Sequence, residues 1–154
     1  MRWIAPLLLC AAAWGQKYTG PRPPKPDLPY LKHADSLIAT EVLEAREEKG
    51  KKDDITYVVA GPASPVKTPL ASPIFLFWRE KLAPESLELY RLESRSGRRE
   101  LLVSPKKPGK AIRMTVTRLT SDGLYRIEVE ESLEAGEYSI SPRESNRVFC
   151  FAVF

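Results

Sequence analysis

Hydrophobic and polar side chains alternate along much of the chain after residue 55. In the segment 111–119, for example, Ile112, Met114 and Val116 share one face, while arginine and threonine side chains occupy the other. A period of two places successive side chains on opposite faces of a half-buried β-strand. The pattern therefore predicts β-strands over the greater part of the chain.

Turn residues separate the predicted strands. Gly61-Pro62, Ser96-Gly97 and Asp122-Gly123 interrupt the alternation, and intervals of roughly 8–12 residues are typical of sandwiches and barrels. We predict an all-β fold, an antiparallel β-sandwich of seven to eight strands. The strand-like segments are 55–60, 74–78, 87–94, 99–104, 111–119, 124–131, 137–141 and 147–154.

The last of these segments, RVFCFAVF, contains seven consecutive apolar residues. It is too short for a membrane-spanning helix, which needs about 20 residues, and we expect a fully packed final strand. One alternative is a strand offered to the sheet of a partner. Another alternative is the last strand of a small outer-membrane β-barrel. Apolar residues at every second position up to Phe154 resemble the C-terminal signal of such barrels. Charged side chains such as Arg113 and Glu128, and the shortness of several strands, argue against that barrel.

Residues 1–15, MRWIAPLLLCAAAWG, have the pattern of a secretory signal peptide. Arg2 supplies the positive start, an apolar stretch follows, and small residues flank the cleavage site. The alternative is a lipoprotein modified at Cys10, but no small residue precedes that cysteine. We expect a secreted or periplasmic protein whose mature chain begins at Gln16 and whose net charge falls from +4 to +3.

Residues 16–34 form a proline-rich segment, with five prolines among residues 21–29. Proline fixes φ and removes a backbone donor, so we expect an extended linker here, followed by a β-sandwich domain over residues 35–154. A proline-rich ligand for a partner protein is the alternative function of the segment.

The stretch DSLIATEVLEAREEKGKK (35–52) fits two structures. Ile38, Val42 and Ala45 have helical spacing, and Gly50 suits a helix end. A strand over residues 37–47 that turns at Gly50 and returns through residues 55–59 agrees equally well with the surrounding β-pattern. The sequence leaves helix and strand open.

Removal of the signal peptide leaves Cys150 as the one cysteine. A single cysteine cannot form an intramolecular disulfide, so the fold must depend on its hydrophobic core. Because Cys150 lies between Phe149 and Phe151, we expect a buried and inert thiol. Pairing of Cys150 between two molecules is left open by the sequence.

The sequence points to no catalytic, cofactor-binding or metal-binding residue, and we predict neither enzyme activity nor a cofactor. His33 has Asp35 and Ser36 beside it, but three sequence neighbours cannot by themselves assemble a catalytic triad with an oxyanion hole. Zinc and calcium sites need more clustered ligands than the mature chain has. The glycine motifs that bind phosphates do not occur.

Basic residues form two groups that do not combine into one surface. A strand of six residues separates the groups by about 20 Å, which exceeds the Debye length of about 8 Å at physiological salt. We therefore do not expect nucleic-acid binding; another envelope protein or a cell-surface polymer is the partner that the sequence favours. The groups are Arg95, Arg98 and Arg99 at a predicted hairpin tip, and Lys106, Lys107 and Lys110 in the following loop.

Two segments carry a resemblance to known proteins. SLEAGEYSI (132–140) resembles the corner that leads into a late strand of immunoglobulin-like sandwiches, through Leu133, Gly136, Tyr138 and Ile140. The resemblance implies that the Tyr138 hydroxyl bonds back to the preceding corner. SPVKTPLASPIFLFWREKLAPESLELYRLE (64–93) is similar to small exported bacterial proteins of unassigned function, which implies no activity.

These features predict an exported, non-catalytic, immunoglobulin-like β-sandwich that serves as a binding or structural module of the cell envelope. The alternatives are the small outer-membrane barrel and a small exported enzyme whose site is assembled from loops. If the protein binds a ligand, the loops of the sandwich are the expected surface. Trp78 follows an apolar strand and is expected in the core.

Overall fold

The computed structural model describes residues 17–154 and is built from β-strands and two single-turn 3₁₀ helices, Lys51–Asp53 and Pro84–Ser86. The predicted signal peptide lies outside the described residues. The strands are β1 (Tyr30–His33), β2 (Ser36–Ala39), β3 (Glu41–Glu44), β4 (Arg46–Lys49), β5 (Ile55–Ala60), β6 (Lys67–Thr68), β7 (Ile74–Trp78), β8 (Leu87–Arg95), β9 (Arg98–Val103), β10 (Met114–Arg118), β11 (Leu124–Val129), β12 (Gly136–Pro142) and β13 (Arg147–Val153).

The strands form two sheets. The smaller sheet has five antiparallel strands in the order β10-β11-β7-β1-β2. The larger sheet has eight strands, seven of them in the antiparallel order β3-β13-β12-β8-β9-β5-β4, while β6 pairs with β13 in parallel. The prediction of an all-β, antiparallel sandwich is confirmed.

The larger sheet closes on itself. Its two outermost strands, β3 and β4, are separated in the chain by Ala45 alone, and the backbone N–H of Ala45 donates to the carbonyl of Asn146 at 2.7 Å. The segment 41–49 therefore pairs with β13 through its first half and with β5 through its second half. We call the space enclosed by this closed set of strands the ring interior.

The two sheets pack face to face through a large apolar core. At its centre the ring of Phe75 meets that of Phe151 edge to face at 5.1 Å between centroids, and Phe151 stacks on Tyr138 at 5.6 Å. Aromatic pairs in such geometries add to the free energy gained from burial. The buried members of this core are Leu31, Phe75, Phe77, Leu87, Leu89, Tyr125, Ile127, Val129, Leu133, Tyr138, Ile140, Phe149, Phe151 and Val153.

A second, smaller core fills part of the ring interior. It consists of buried Ala45, Val59, Leu92, Val148 and Cys150, with half-buried side chains packed against them. Strand β13 contributes to both cores, since alternate side chains of a strand point to opposite faces. Both of its faces are covered, and this explains its continuous apolar sequence; the prediction of a fully packed final strand is confirmed.

The stretch 37–47 is β-structure, and the helical interpretation is wrong. Leu43 and Ala45 turn toward the ring interior while Val42 and Glu44 are exposed, so the period of two prevails over the helical spacing. At Thr40 the chain crosses from one sheet to the other, and both the backbone N–H and the hydroxyl of Thr40 donate to the carbonyl of Pro29, at 3.2 and 2.8 Å. The strand segments thus number thirteen rather than seven to eight, and the additional ones are β1–β4 and β6.

The folded unit includes part of the segment expected to be a linker. The sequence placed residues 16–34 in the linker and began the domain at residue 35, but β1 lies inside the five-stranded sheet between β7 and β2, with Tyr30 and Leu31 buried. Before β1, the Asp27 carboxylate accepts hydrogen bonds from the backbone N–H groups of Glu80, Lys81 and Leu82 at 2.9–3.1 Å. Partial burial opposes ionisation, but these donors hold the pKa of Asp27 below its ordinary value. The proline-rich segment is thereby fixed to the turn after β7.

Two local motifs behave as their sequences predict. The Tyr138 hydroxyl donates to the carbonyl of Glu134 at 2.7 Å, which is the corner bond implied by the 132–140 motif. Ser96 and Gly97 both have positive φ, 54° and 76°, as a two-residue hairpin turn between β8 and β9 requires. Among residues 17–154, no helix has the length and apolar character needed to cross a membrane.

Replacement of Phe151 by alanine should lower the free energy of unfolding by about 3–5 kcal/mol, because it removes the ring that touches both Phe75 and Tyr138 in the inter-sheet core. Phe154→Ala is the matched control, because that side chain is 70% exposed and such surface changes stay within about 0.5 kcal/mol. Equilibrium urea unfolding measures both variants. Equal effects of the two substitutions would contradict the packing described for β13.

Candidate functional site

One end of the ring interior is filled by a buried arginine. Arg99 of β9 is 1% exposed, and its guanidinium donates to a carboxylate oxygen of Glu41 at 2.8 Å and to the carbonyls of Ala60 and Gly61 at 2.6 and 3.1 Å. A Glu137 carboxylate oxygen lies 3.9 Å away. The donors of a buried guanidinium must be satisfied in this way, because an unpaired buried charge is very costly.

The burial of Arg99 corrects the expectation of three basic residues at an exposed hairpin tip. Arg95 is exposed, but Arg98 is held between Glu48 and Glu100, at 2.8 and 3.2 Å. The side chain of Arg99 lies on the face of β9 opposite to that of Arg98 and therefore points into the ring interior. Adjacent arginines on one strand must point to opposite sides, so they could not form one basic cluster.

Cys150 lies in the same end of the ring interior. Its thiol is fully buried, and burial raises the pKa of Cys150 to about 12, although the nearby Arg99 charge acts in the other direction. A thiol that stays protonated and has no access to solvent is a poor nucleophile. The prediction of a buried thiol is confirmed, and Cys150 forms no disulfide within the described residues.

The other end of the ring interior is an open cavity of about 640 Å³, which we call the ring cavity. Its size lies within the range of about 300–1,000 Å³ that is usual for small-molecule sites. The inner lining is apolar and comes from strands around the whole ring, while the exposed residues at its mouth belong to β4 and to the turn between β12 and β13. The inner apolar side chains are Ala45, Val59, Leu92, Leu101, Val103 and Val148.

Hydroxyl groups face the ring cavity without protein partners. Ser139 of β12 is only 3% exposed, and among residues 17–154 its hydroxyl has no hydrogen-bond partner. The Tyr57 hydroxyl also has no partner among these residues. Neither oxygen is sealed from solvent, since the buried side-chain polar atom without a partner in the described part of the chain is the Nε of Arg126. Both hydroxyls are therefore open to water or to a ligand within the cavity.

Tyr90 of β8 is the cross-strand neighbour of Ser139, and its hydroxyl has a protein partner. Its hydroxyl donates to the carboxylate of Glu88, the residue two positions earlier on the same face of β8. Burial is the main reason that the pKa of Tyr90 rises to about 12, and the bond to the Glu88 carboxylate adds to it. The Tyr90 ring is thus held in one orientation at the cavity wall.

A second surface depression of about 630 Å³ lies beside Arg91, Glu93 and Gly136. Its charged side chains are exposed, and Arg91 is already bonded to Glu134 at 2.8 Å. It offers no buried unpaired polar group comparable to Ser139. The ring cavity is therefore the better candidate for a binding site.

The residues that the sequence singled out do not line the ring cavity. The Nε2 atom of His33 is 2.8 Å from the hydroxyl of Thr68, and this contact connects β1 to β6. Trp78 is 38% exposed, and the expectation that it lies in the core is wrong, because it ends β7 on the face away from Phe75 and Phe77. Within the described residues, no group of three or more side chains suited to a metal ion occurs.

Sequence reasoning missed the ring cavity, although one signal for it was present. Leu87 and Leu89 occupy one face of β8, and Tyr90 and Leu92 occupy the other. A strand with apolar residues on both faces needs a cover on both faces, which indicated a second enclosed space beyond the sandwich core. Ser139 itself carries no signal, because a single serine in a strand is ordinary.

Arg99→Ala should lower the free energy of unfolding by about 3–5 kcal/mol, since it leaves the Glu41 carboxylate without its buried partner. Arg98→Ala is the matched control at the next position, because a surface ion pair of this kind contributes little to stability. Chemical denaturation of both variants gives the comparison. A larger effect at Arg98 would show that the two side chains are assigned to the wrong faces of β9.

Tyr90 should ionise near pH 12, as measured by the ultraviolet absorbance of tyrosinate and identified by its loss in Tyr90→Phe. The folded state favours the neutral phenol of Tyr90 because its pKa is higher there than in the unfolded chain. The contribution of Tyr90 to the free energy of unfolding is therefore fully present below pH 10, the ordinary pKa, and is lost as the pH rises toward 12. Glu88→Gln should lower the pKa of Tyr90, whereas Glu85→Gln, an exposed change nearby, should leave it unchanged. An unaltered pKa in Glu88→Gln would exclude the Glu88–Tyr90 bond.

Comparison with protein-family models, with curated proteins and with solved structures finds no match to this chain. The description of the site therefore depends on the geometry of the ring cavity alone.

Proposed function

We propose that the chain is an exported, non-catalytic binding module of the cell envelope and that the ring cavity holds its ligand. The observation that carries the proposal is the unpaired hydroxyl of Ser139 at an apolar, solvent-accessible cavity. An open cavity of this size, with apolar walls and a few polar groups, is the usual form of a small-molecule site, which supports a ligand here.

Export is proposed from the sequence of residues 1–15, which combines a positive start, an apolar stretch and small residues at a cleavage site. A secreted or periplasmic location follows from that pattern. It also suits a fold stabilised by two apolar cores, since the mature chain has one cysteine and cannot depend on disulfides.

Binding rather than catalysis is supported by the surroundings of the cavity hydroxyls. A nucleophilic serine needs a base within hydrogen-bond reach. The Ser139 hydroxyl has no such partner among residues 17–154, and His33 is bonded to Thr68 outside the cavity lining. The Glu88 carboxylate accepts a hydrogen bond from the Tyr90 hydroxyl and so positions the ring of Tyr90.

Ser141→Phe should reduce ligand retention, because Ser141 lines the ring cavity and a benzyl group at this position takes up part of its volume. Ser132→Phe is the matched control on an exposed loop. Both proteins are purified from the periplasmic fraction of the expression host, and native mass spectrometry measures any bound small molecule. Undiminished retention of the same ligand by folded Ser141→Phe would overturn the ring cavity as the binding site.

A further inference from the structure

We infer that the ligand of the ring cavity is a neutral saccharide unit, an inference that depends on the binding function proposed above. Three features of the ring cavity lead to this ligand class: its apolar and aromatic inner surface, its hydroxyls without protein partners and its net acidic lining. No single feature is sufficient, but each excludes a different class of ligand.

The inner surface favours a ligand with an apolar face. Tyr57 and Tyr90 line the cavity from β5 and β8, the two strands that flank β9, and Leu101 of β9 lies between them. Aromatic rings bury a large apolar area and keep one polar end available. A ligand that carries only polar groups on all sides would lose hydration against this surface without compensation.

The hydroxyl groups exclude a purely apolar ligand. The hydroxyls of Ser139 and Tyr57 face the cavity without a protein partner among residues 17–154. An apolar ligand such as an acyl chain would displace water from both groups and leave them without a hydrogen-bond partner, which is unfavourable. The ligand must therefore carry groups that donate and accept hydrogen bonds.

The charge around the cavity disfavours an anionic ligand. The carboxylates of Glu47, Glu88 and Glu144 line it, and Arg143 is the basic residue in the lining. Three carboxylates against one guanidinium make the lining net acidic, so an anion gains nothing from this surface. A quaternary ammonium cation is attracted by the carboxylates but has no group that could bond to the hydroxyls of the cavity.

A saccharide ring combines an apolar face with groups that form hydrogen bonds. Its C–H groups form an apolar face suited to a tyrosine ring, and its hydroxyls both donate and accept hydrogen bonds. Hydroxyls at the ring edge can reach Ser139 within the cavity and carboxylates or Asn146 at the mouth. Saccharides are also abundant at the surface of the cell envelope, which is the location proposed for this protein.

The test uses the purified mature protein and four probes: chitotriose and maltotriose as neutral saccharides, hexyltrimethylammonium as an apolar cation and octanoate as an apolar anion. Binding is followed by the amide chemical shifts of Ser139 and Gly109, which both line the ring cavity. We expect at least one trisaccharide to give saturable shifts at these positions, while the two charged probes give none.

Variants connect the shifts to the cavity. Tyr57→Ala should weaken binding of the saccharide about tenfold, equal to a loss of about 1.4 kcal/mol. Ser139→Ala, which removes one hydroxyl and keeps the packing, should weaken it about threefold to tenfold. Tyr18→Ala is the matched control, because Tyr18 is not among the cavity residues. A thermal melt of each variant separates lost binding from lost folding.

The outcomes distinguish this inference from the proposed function. Shifts at Ser139 with either charged probe, and none with the saccharides, would overturn the saccharide and leave a binding module. A retained ligand of non-saccharide mass would do the same. Failure of all four probes, together with no bound molecule in the protein purified from the periplasm, would overturn both proposals.

Discussion

The structure depends on the need to bury both faces of β13. Phe149 and Phe151 on one face and Val148 and Cys150 on the other are all excluded from water. Apolar surface of this kind contributes roughly 25 cal/mol per Å² buried, so neither face can remain open at small cost. The five-stranded sheet covers the first face, and closure of the larger sheet around the second face covers the other. Packing of the two sheets and closure of the larger sheet therefore each bury one face of β13.

Closure of the ring encloses more space than its side chains fill. At one end the long side chain of Arg99, together with Glu41, occupies the interior and satisfies its own charges. At the other end the inward positions are held by the small residues Ala45 and Ser139. Gly109 of the β9–β10 connection packs closely there, since an added Cβ would lie 3.3 Å from Tyr90 and Val103. The cavity is therefore a consequence of residue size at a few positions of a rigid sheet.

The sequence predicted those parts of the fold that local pattern determines. Strands β5 and β7 have the predicted bounds, and the Ser96-Gly97 turn and the Tyr138 corner have the predicted geometry, because each depends on neighbouring residues only. The crossing at Thr40 and the pairing of residues 41–49 with two strands far along the chain depend on tertiary contacts, which overrode an even local balance between helix and strand. The same limit hid the candidate site, since Tyr57, Tyr90 and Ser139 come together only through the long-range pairing of β12, β8, β9 and β5.

The ring cavity is lined partly by strands and partly by connections, and substitutions in these two parts have different effects. The inner lining of the ring cavity belongs to paired strands, and substitutions there alter packing as well as binding. The mouth is formed largely by exposed residues of the turn between β12 and β13 and of the connection between β9 and β10. Connections of this kind tolerate substitution, because few core contacts depend on them. Substitutions at the inner surface therefore change the cavity and the core together, whereas substitutions in the connections change the mouth of the cavity.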